Sequence, residues 1–115
     1  MTPLSQLHCT PVHKEDRPLS EDEIRDFARE IPEWKVVERG GLMQIEREFR
    51  FKNFSAALAF TVQVGELAEA EDHHPALLTE WGRVTAAWWT HRIGGLHRND
   101  FIMAAKTDDV YASID

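Results

Sequence analysis

The sequence is short of cysteine, of basic charge and of uninterrupted apolar length, and each shortage closes off a class of protein. Its single cysteine, Cys9, leaves no intramolecular disulfide framework and no four-thiolate zinc site. Thirteen Lys and Arg stand against twenty Asp and Glu, a net charge of −7 with a pI near 5.3. A domain this acidic, with no basic stripe, is a poor match for a phosphate backbone, so no nucleic acid is expected as a direct ligand. The longest apolar stretch, Phe54 to Leu67, is interrupted by Gln63 and Glu66 and is too short to span a bilayer. Met1 to Val12 lack the basic start and apolar block of a secretory signal. No membrane contact and a cytoplasmic location are therefore expected. What is present suffices for a core: 115 residues, 43% apolar and 10% aromatic, fit one domain.

Residues 1–18 hold three of the five prolines and no periodic pattern, and they read as a flexible N-terminal arm ahead of a domain over 19–115. His8, Cys9 and His13 lie on that arm, where a metal site would lack the rigid geometry it needs. Ser20-Glu21-Asp22-Glu23 is a capping box with Leu19 and Ile24 placed as a staple, and Ile24, Phe27, Ala28 and Ile31 then repeat at helical spacing until Pro32. Trp34 to Glu38 and Leu42 to Phe51 flank Gly40-Gly41, a hairpin signal. Arg47 breaks the apolar row of the second arm and suggests a position near an edge. Asn53 caps a helix to about Ala70 whose wide apolar arc predicts a helix laid fully across a sheet. Ala76 to Trp81 and Val84 to His91 read as a second hairpin turning at Gly82-Arg83, and a third helix follows from about Arg98 to Asp109. The order helix-hairpin-helix-hairpin-helix predicts an α+β fold: a four-stranded antiparallel sheet with three helices packed on one face.

Four of the six histidines fall between positions 73 and 97. With Gly82-Arg83 as the loop, Trp81 opposes Val84 and His91 falls opposite His74, on one face of the open end of the hairpin. His73 is one step further along, beside Asp72 and Glu69. Pro75 restricts His74 to extended backbone. The Gly94-Gly95 bend could fold the first turn of the third helix back over this end, carrying Asp100 to an imidazole. Imidazole titrates closest to neutrality, so a pair can hold one acid and one base together. Two alternatives stand beside this reading. The histidines could be one core residue and two loop residues, or His73, His74, His91, Asp72 and Asp100 could ligate zinc or iron, although adjacent strand histidines point to opposite faces. Trp34, Trp81, Trp88 and Trp89 read first as core or as a subunit interface, and Trp81 or Trp89 could also stack on a flat heterocycle.

Glu69-x-x-x-His73-His74-Pro75, then Trp81, Thr90-His91, Arg92-Ile93-Gly94-Gly95-Leu96 and Asn99-Asp100-Phe101-Ile102 resemble the signature of the pterin-4a-carbinolamine dehydratases. The likeness runs from about Leu19 onward, with the 18-residue spacing from His73 to His91 and the nine from there to Asp100 kept without a gap. It implies dehydration of 4a-hydroxytetrahydrobiopterin to the quinonoid dihydropterin and water, with no metal and no cofactor, in a homodimer or homotetramer serving an aromatic amino acid hydroxylase. It also implies His73 and His91 as the acid/base pair, His74 as a pterin anchor, and Asp100, Glu69 and Asp72 as pocket carboxylates. Pro75, Trp81 and Thr90 join the substrate-binding set. His97 stands where the family often has Ser or Thr, which predicts a weaker cap on the third helix, and Trp81 replaces a frequent Tyr. A non-catalytic dimeric module that binds a protein partner is the competing functional class.

Overall fold

Ser20 starts the first helix in the manner its sequence context predicts. In the computed structural model of the chain, which describes residues 2–114, Glu23 N donates to Ser20 Oγ at 3.2 Å and Ser20 N to Glu23 Oε1 at 2.9 Å. These bonds open α1 (Glu21–Ala28). Strands β1 (Lys35–Arg39) and β2 (Leu42–Arg50) meet at Gly40-Gly41, whose φ angles of 57° and 83° are the backbone a two-residue hairpin loop requires. Helix α2 (Phe54–Glu71) begins where Ala56 N donates to Asn53 Oδ1 at 2.8 Å. Then come β3 (Ala76–Glu80), β4 (Arg83–Trp88) and α3 (Arg98–Ala112). The strands form one antiparallel sheet in the order β1-β2-β4-β3, with the three helices on one face, as the sequence predicts. Phe49 of β2 lies at the centre of the core, its ring centroid 4.8 Å from Phe60, 4.9 Å from Tyr111 and 5.9 Å from Trp34. Each such pair adds roughly 0.5–1.5 kcal/mol beyond the area it buries. No helix among the described residues is long and apolar enough to cross a membrane.

The second hairpin turns one residue earlier than expected. Glu80 pairs with Arg83, so the loop is Trp81-Gly82 rather than Gly82-Arg83. Gly82 takes the loop position with φ +75°, and Phe51 N donates to its carbonyl at 2.9 Å. A Cβ on Gly82 would come within 3.2 Å of Phe51 O, so this backbone approach selects glycine there. Arg83 is thereby kept in β4, where its guanidinium meets Glu80 Oε1 at 2.8 Å. The shift removes the expected opposition of His91 and His74. The strand ends at Trp88, Thr90 bridges to Gly95, and His91 opens a short 3-10 turn, His91–Ile93.

Two further expectations are corrected. Arg47 is not near an edge: β2 is an inner strand, and Arg47 lies over the Phe49 ring at 4.4 Å with Nη1 2.6 Å from Asp108 Oδ1 on α3. A charge can sit there because Asp108 neutralises it, with Trp34 Nε1 donating to the same oxygen at 2.8 Å. Helix α2 is covered on one side only. Ala57, Phe60, Val64 and Ala68 are buried, whereas Phe54, Leu58 and Val62, one helical turn apart, are 44%, 47% and 51% exposed. Ahead of Ser20, Leu4 is 4% exposed, and Lys106 Nζ donates to Ser5 O at 2.9 Å.

Candidate active site

Helix α2 ends at Asp72, the one non-glycine residue with positive φ among those described (53°). This left-handed turn costs an L-residue roughly 1–2 kcal/mol, and Asp is among the types that accept it most readily. It sends His73 inward, its N–H donating to Ala68 O at 3.1 Å, and leaves His74 outside. From the other side the Thr90–Gly95 bridge closes the loop that returns the first turn of α3 to the end of the sheet. Asp100 arrives there fully buried.

His73 Nε2 donates to Asp100 Oδ1 at 2.6 Å. Asp100 Oδ2 accepts from Thr90 Oγ1 at 2.8 Å and from His97 N at 2.9 Å. Trp88 lies parallel to the His73 ring, 9° between planes and 6.0 Å between centroids. The His73 ring is therefore held at Nε2 by Asp100, and Nδ1 has no hydrogen-bond partner among the described residues. The expected weakness of the α3 cap is not found. His97 Nδ1 accepts from Asn99 N at 3.0 Å, so imidazole does the work of a serine hydroxyl. That bond needs a free lone pair, and burial lowers the His97 pKa below its usual 6.5 against the pull of the Asp100 and Asp16 carboxylates.

A cavity of about 540 Å³ opens beside His73, and His74 and His91, both exposed, also line it. A space of this size is ordinary for a small-molecule site. Asp72, Pro75, Thr90 and Trp89 complete this side of the wall. His74 Nε2 donates to Glu69 Oε1 at 2.6 Å, a pair exposed enough to orient the ring without adding much stability. Glu69 thus touches His74 and does not line the cavity. Asp100 stands behind His73. Trp81 is not brought to the site: it is 74% exposed in the β3–β4 turn, one strand length, roughly 17 Å, from the other end of the hairpin. Among the described residues no three His, Cys, Asp or Glu side chains are arranged to hold a metal ion.

Sequence reasoning missed part of the wall. Cys9, Thr10, Pro11 and Val12 of the arm line the cavity, as do Glu71 and Arg92. Burial, reinforced by the Glu71 and Asp100 carboxylates, pushes the Cys9 thiol up to about 12, so it is no nucleophile at neutral pH. Burial also acts to raise Glu71, but the hydrogen bonds from Cys9 N and His8 outweigh it and hold this carboxyl below its usual range.

Three imidazoles around one void, one of them backed by a buried carboxylate, form the constellation whose spacing resembles the carbinolamine dehydratases. The sequence model of the family described as pterin 4 alpha carbinolamine dehydratase matches residues 17–110. The chain belongs to this family. It is 52% identical over 111 residues to a protein of Microcystis aeruginosa whose name places it with the pterin-4-alpha-carbinolamine dehydratases, a match covering 96% of each chain. Its fold is also similar to the crystal structure of a transcriptional coactivator/pterin dehydratase from Brucella melitensis. There the TM-score is 0.74 and the identity 33%, with 83% of this chain and 99% of that one covered. The dehydratase family and the α+β fold agree with the reading of the sequence.

Proposed function

We propose that this chain removes water from 4a-hydroxytetrahydrobiopterin by histidine acid/base catalysis, using His73, His74 and His91. The observation that carries the proposal is the convergence of these imidazoles on one pterin-sized cavity, with His73 held by a fully buried carboxylate. The reaction is a lyase step. The C4a–O bond breaks, the leaving hydroxide takes a proton to become water, and N5 gives up its proton as the ring becomes the quinonoid dihydropterin. Hydroxyl and N5 are neighbours on the ring, so one cluster can serve both transfers, each worth about 10²–10⁴-fold. His73 is suited to the inner transfer through Nδ1, because Asp100 steadies the imidazolium that forms when it takes a proton. His91, on its exposed turn, is suited to exchange the second proton with water. His74, oriented by Glu69, anchors the pterin. Asp72 and Asp100 favour the positive charge that develops on the ring, and Thr90 positions Asp100. Turnover of synthetic carbinolamine, followed by absorbance, tests the reading: His73→Ala should lose about 10²–10⁴-fold in kcat, and an unchanged rate would overturn it.

A hydroxylated pterin of this kind arises from pterin-dependent monooxygenation, so an aromatic amino acid hydroxylase is the proposed functional partner. The Phe54, Leu58 and Val62 stripe supports a homodimer or homotetramer, since an uncovered apolar row is what a second copy would bury. Val62→Glu should then lower the molar mass measured by light scattering; a wild type that is monomeric at micromolar concentration speaks against assembly. The single thiol and acidic charge support a cytoplasmic setting.

A further inference from the structure

The family match begins at residue 17, yet one wall of the cavity is built from residues 9–12. This stretch is held by a set of specific bonds. The buried Asn99 carboxamide grips one residue from both sides: Thr10 N donates to Oδ1 at 3.0 Å and Nδ2 donates to Thr10 O at 2.8 Å, the pairing a neighbouring strand would provide. Cys9 N donates to Glu71 Oε1 at 2.8 Å, and Arg92 Nη1 donates to Val12 O at 3.0 Å. Further back, buried Leu4 and the Lys106–Ser5 bond fasten the arm to α3. Asn99 adjoins Asp100, so a single helical turn holds the arm with one residue and His73 with the next. Glu71 and Arg92 likewise flank the histidines in sequence while reaching across to the arm.

We propose that Cys9–Val12 form a specificity-determining wall of the active site, clamped by Asn99, Glu71 and Arg92, and that this wall sets how tightly the pterin is held. The inference rests on the dehydratase reading. The histidine side of the cavity carries the proton-exchanging groups, whereas Cys9, Pro11 and Val12 offer uncharged, largely apolar surface. The part of the pterin with no proton to exchange, including its 6-substituent, is what such a wall contacts. Its effect falls on binding more than on the chemical step, because ground state and transition state share that contact.

Two variants and one labelling experiment test this. Deleting residues 2–12 should raise KM at least about tenfold while kcat falls much less. Because deletion also removes Leu4 from the core, Val12→Trp is run beside it; a larger side chain in the wall should raise KM for a pterin bearing a long 6-substituent more than for the 6-methyl analogue. The sole thiol reports on the wall directly. Saturating 7,8-dihydrobiopterin should slow maleimide labelling of Cys9 at pH 9, where enough thiolate forms for the slow reaction to be followed. Wild-type turnover with KM unchanged in the truncated chain, no discrimination by Val12→Trp, or labelling indifferent to the pterin overturns the wall and leaves the dehydratase reading intact. Absence of wild-type turnover overturns that reading, and this inference with it.

Discussion

Replacing Asp100 by Asn should leave the protein folded and nearly inactive, and the local hydrogen bonds say why. One oxygen of the carboxylate, Oδ2, accepts from both Thr90 Oγ1 and His97 N. The other, Oδ1, accepts from His73 Nε2 at 2.6 Å. A carboxamide must keep its oxygen toward His97, because two N–H groups cannot face each other, and its NH₂ then points at His73. Nε2 must become an acceptor and the imidazole proton moves to Nδ1, so the nitrogen left for the substrate can no longer take a proton. The loss expected for one disabled proton transfer is about 10²–10⁴ in kcat. Stability should fall by about 1–3 kcal/mol, since one charge-assisted bond is replaced by a neutral one in a fully buried site. That corresponds to a drop in Tm on the order of 4–12 °C. Asp100→Ala differs in kind: it strands His97 N and the Thr90 hydroxyl and should cost about 3–5 kcal/mol. Initial rates of carbinolamine dehydration well below the measured Tm, read beside thermal melts, separate the two effects. A folded Asn variant with kcat within about threefold of wild type would refute the reasoning, since a lost proton transfer costs far more.

Two other substitutions probe the frame around the site. Because His97 has a lowered pKa when folded, chiefly through burial, its contribution to stability is full above the unfolded value of 6.5 and declines as pH falls below it. His97→Asn keeps a side-chain acceptor at the cap without that titration, so the Tm difference between wild type and variant should change in the variant's favour from pH 7.5 to pH 5; a constant difference would contradict the imidazole cap. Arg47→Ala leaves Asp108, already raised by burial despite Trp34 and Arg47, with a single donor, and should cost about 2 kcal/mol, roughly 8 °C in Tm. A shift under about 2 °C would mean that solvent screens the pair.

What could be read from the sequence was whatever depends on neighbours along the chain. The Ser20 capping box, the Gly40-Gly41 turn, the Asn53 cap and the Gly94-Gly95 bend each act within a few residues, and each stands in the structure. The bend even returned Asp100 to His73. What escaped were choices made by distant partners. Glycine at 82 fits a turn with either flanking residue, and the bond from Phe51 N, thirty-one positions away, helps decide for Trp81. Arg47 gave no sign of Asp108, and the leading prolines gave no sign that Asn99 would hold Thr10. The cluster of histidines was legible as composition, but its geometry was not: His91 reaches the cavity from a 3-10 turn rather than from a strand.

The shared carboxylate at Asp100 ties readiness to react to the integrity of the last helix. A molecule in which that helix has frayed from its start loses the partner of His73 at the same moment, so partly opened molecules are silent rather than sluggish. Turnover therefore counts intact copies in a mixture, and gentle denaturant should extinguish the enzyme no later than it loosens the surrounding scaffold.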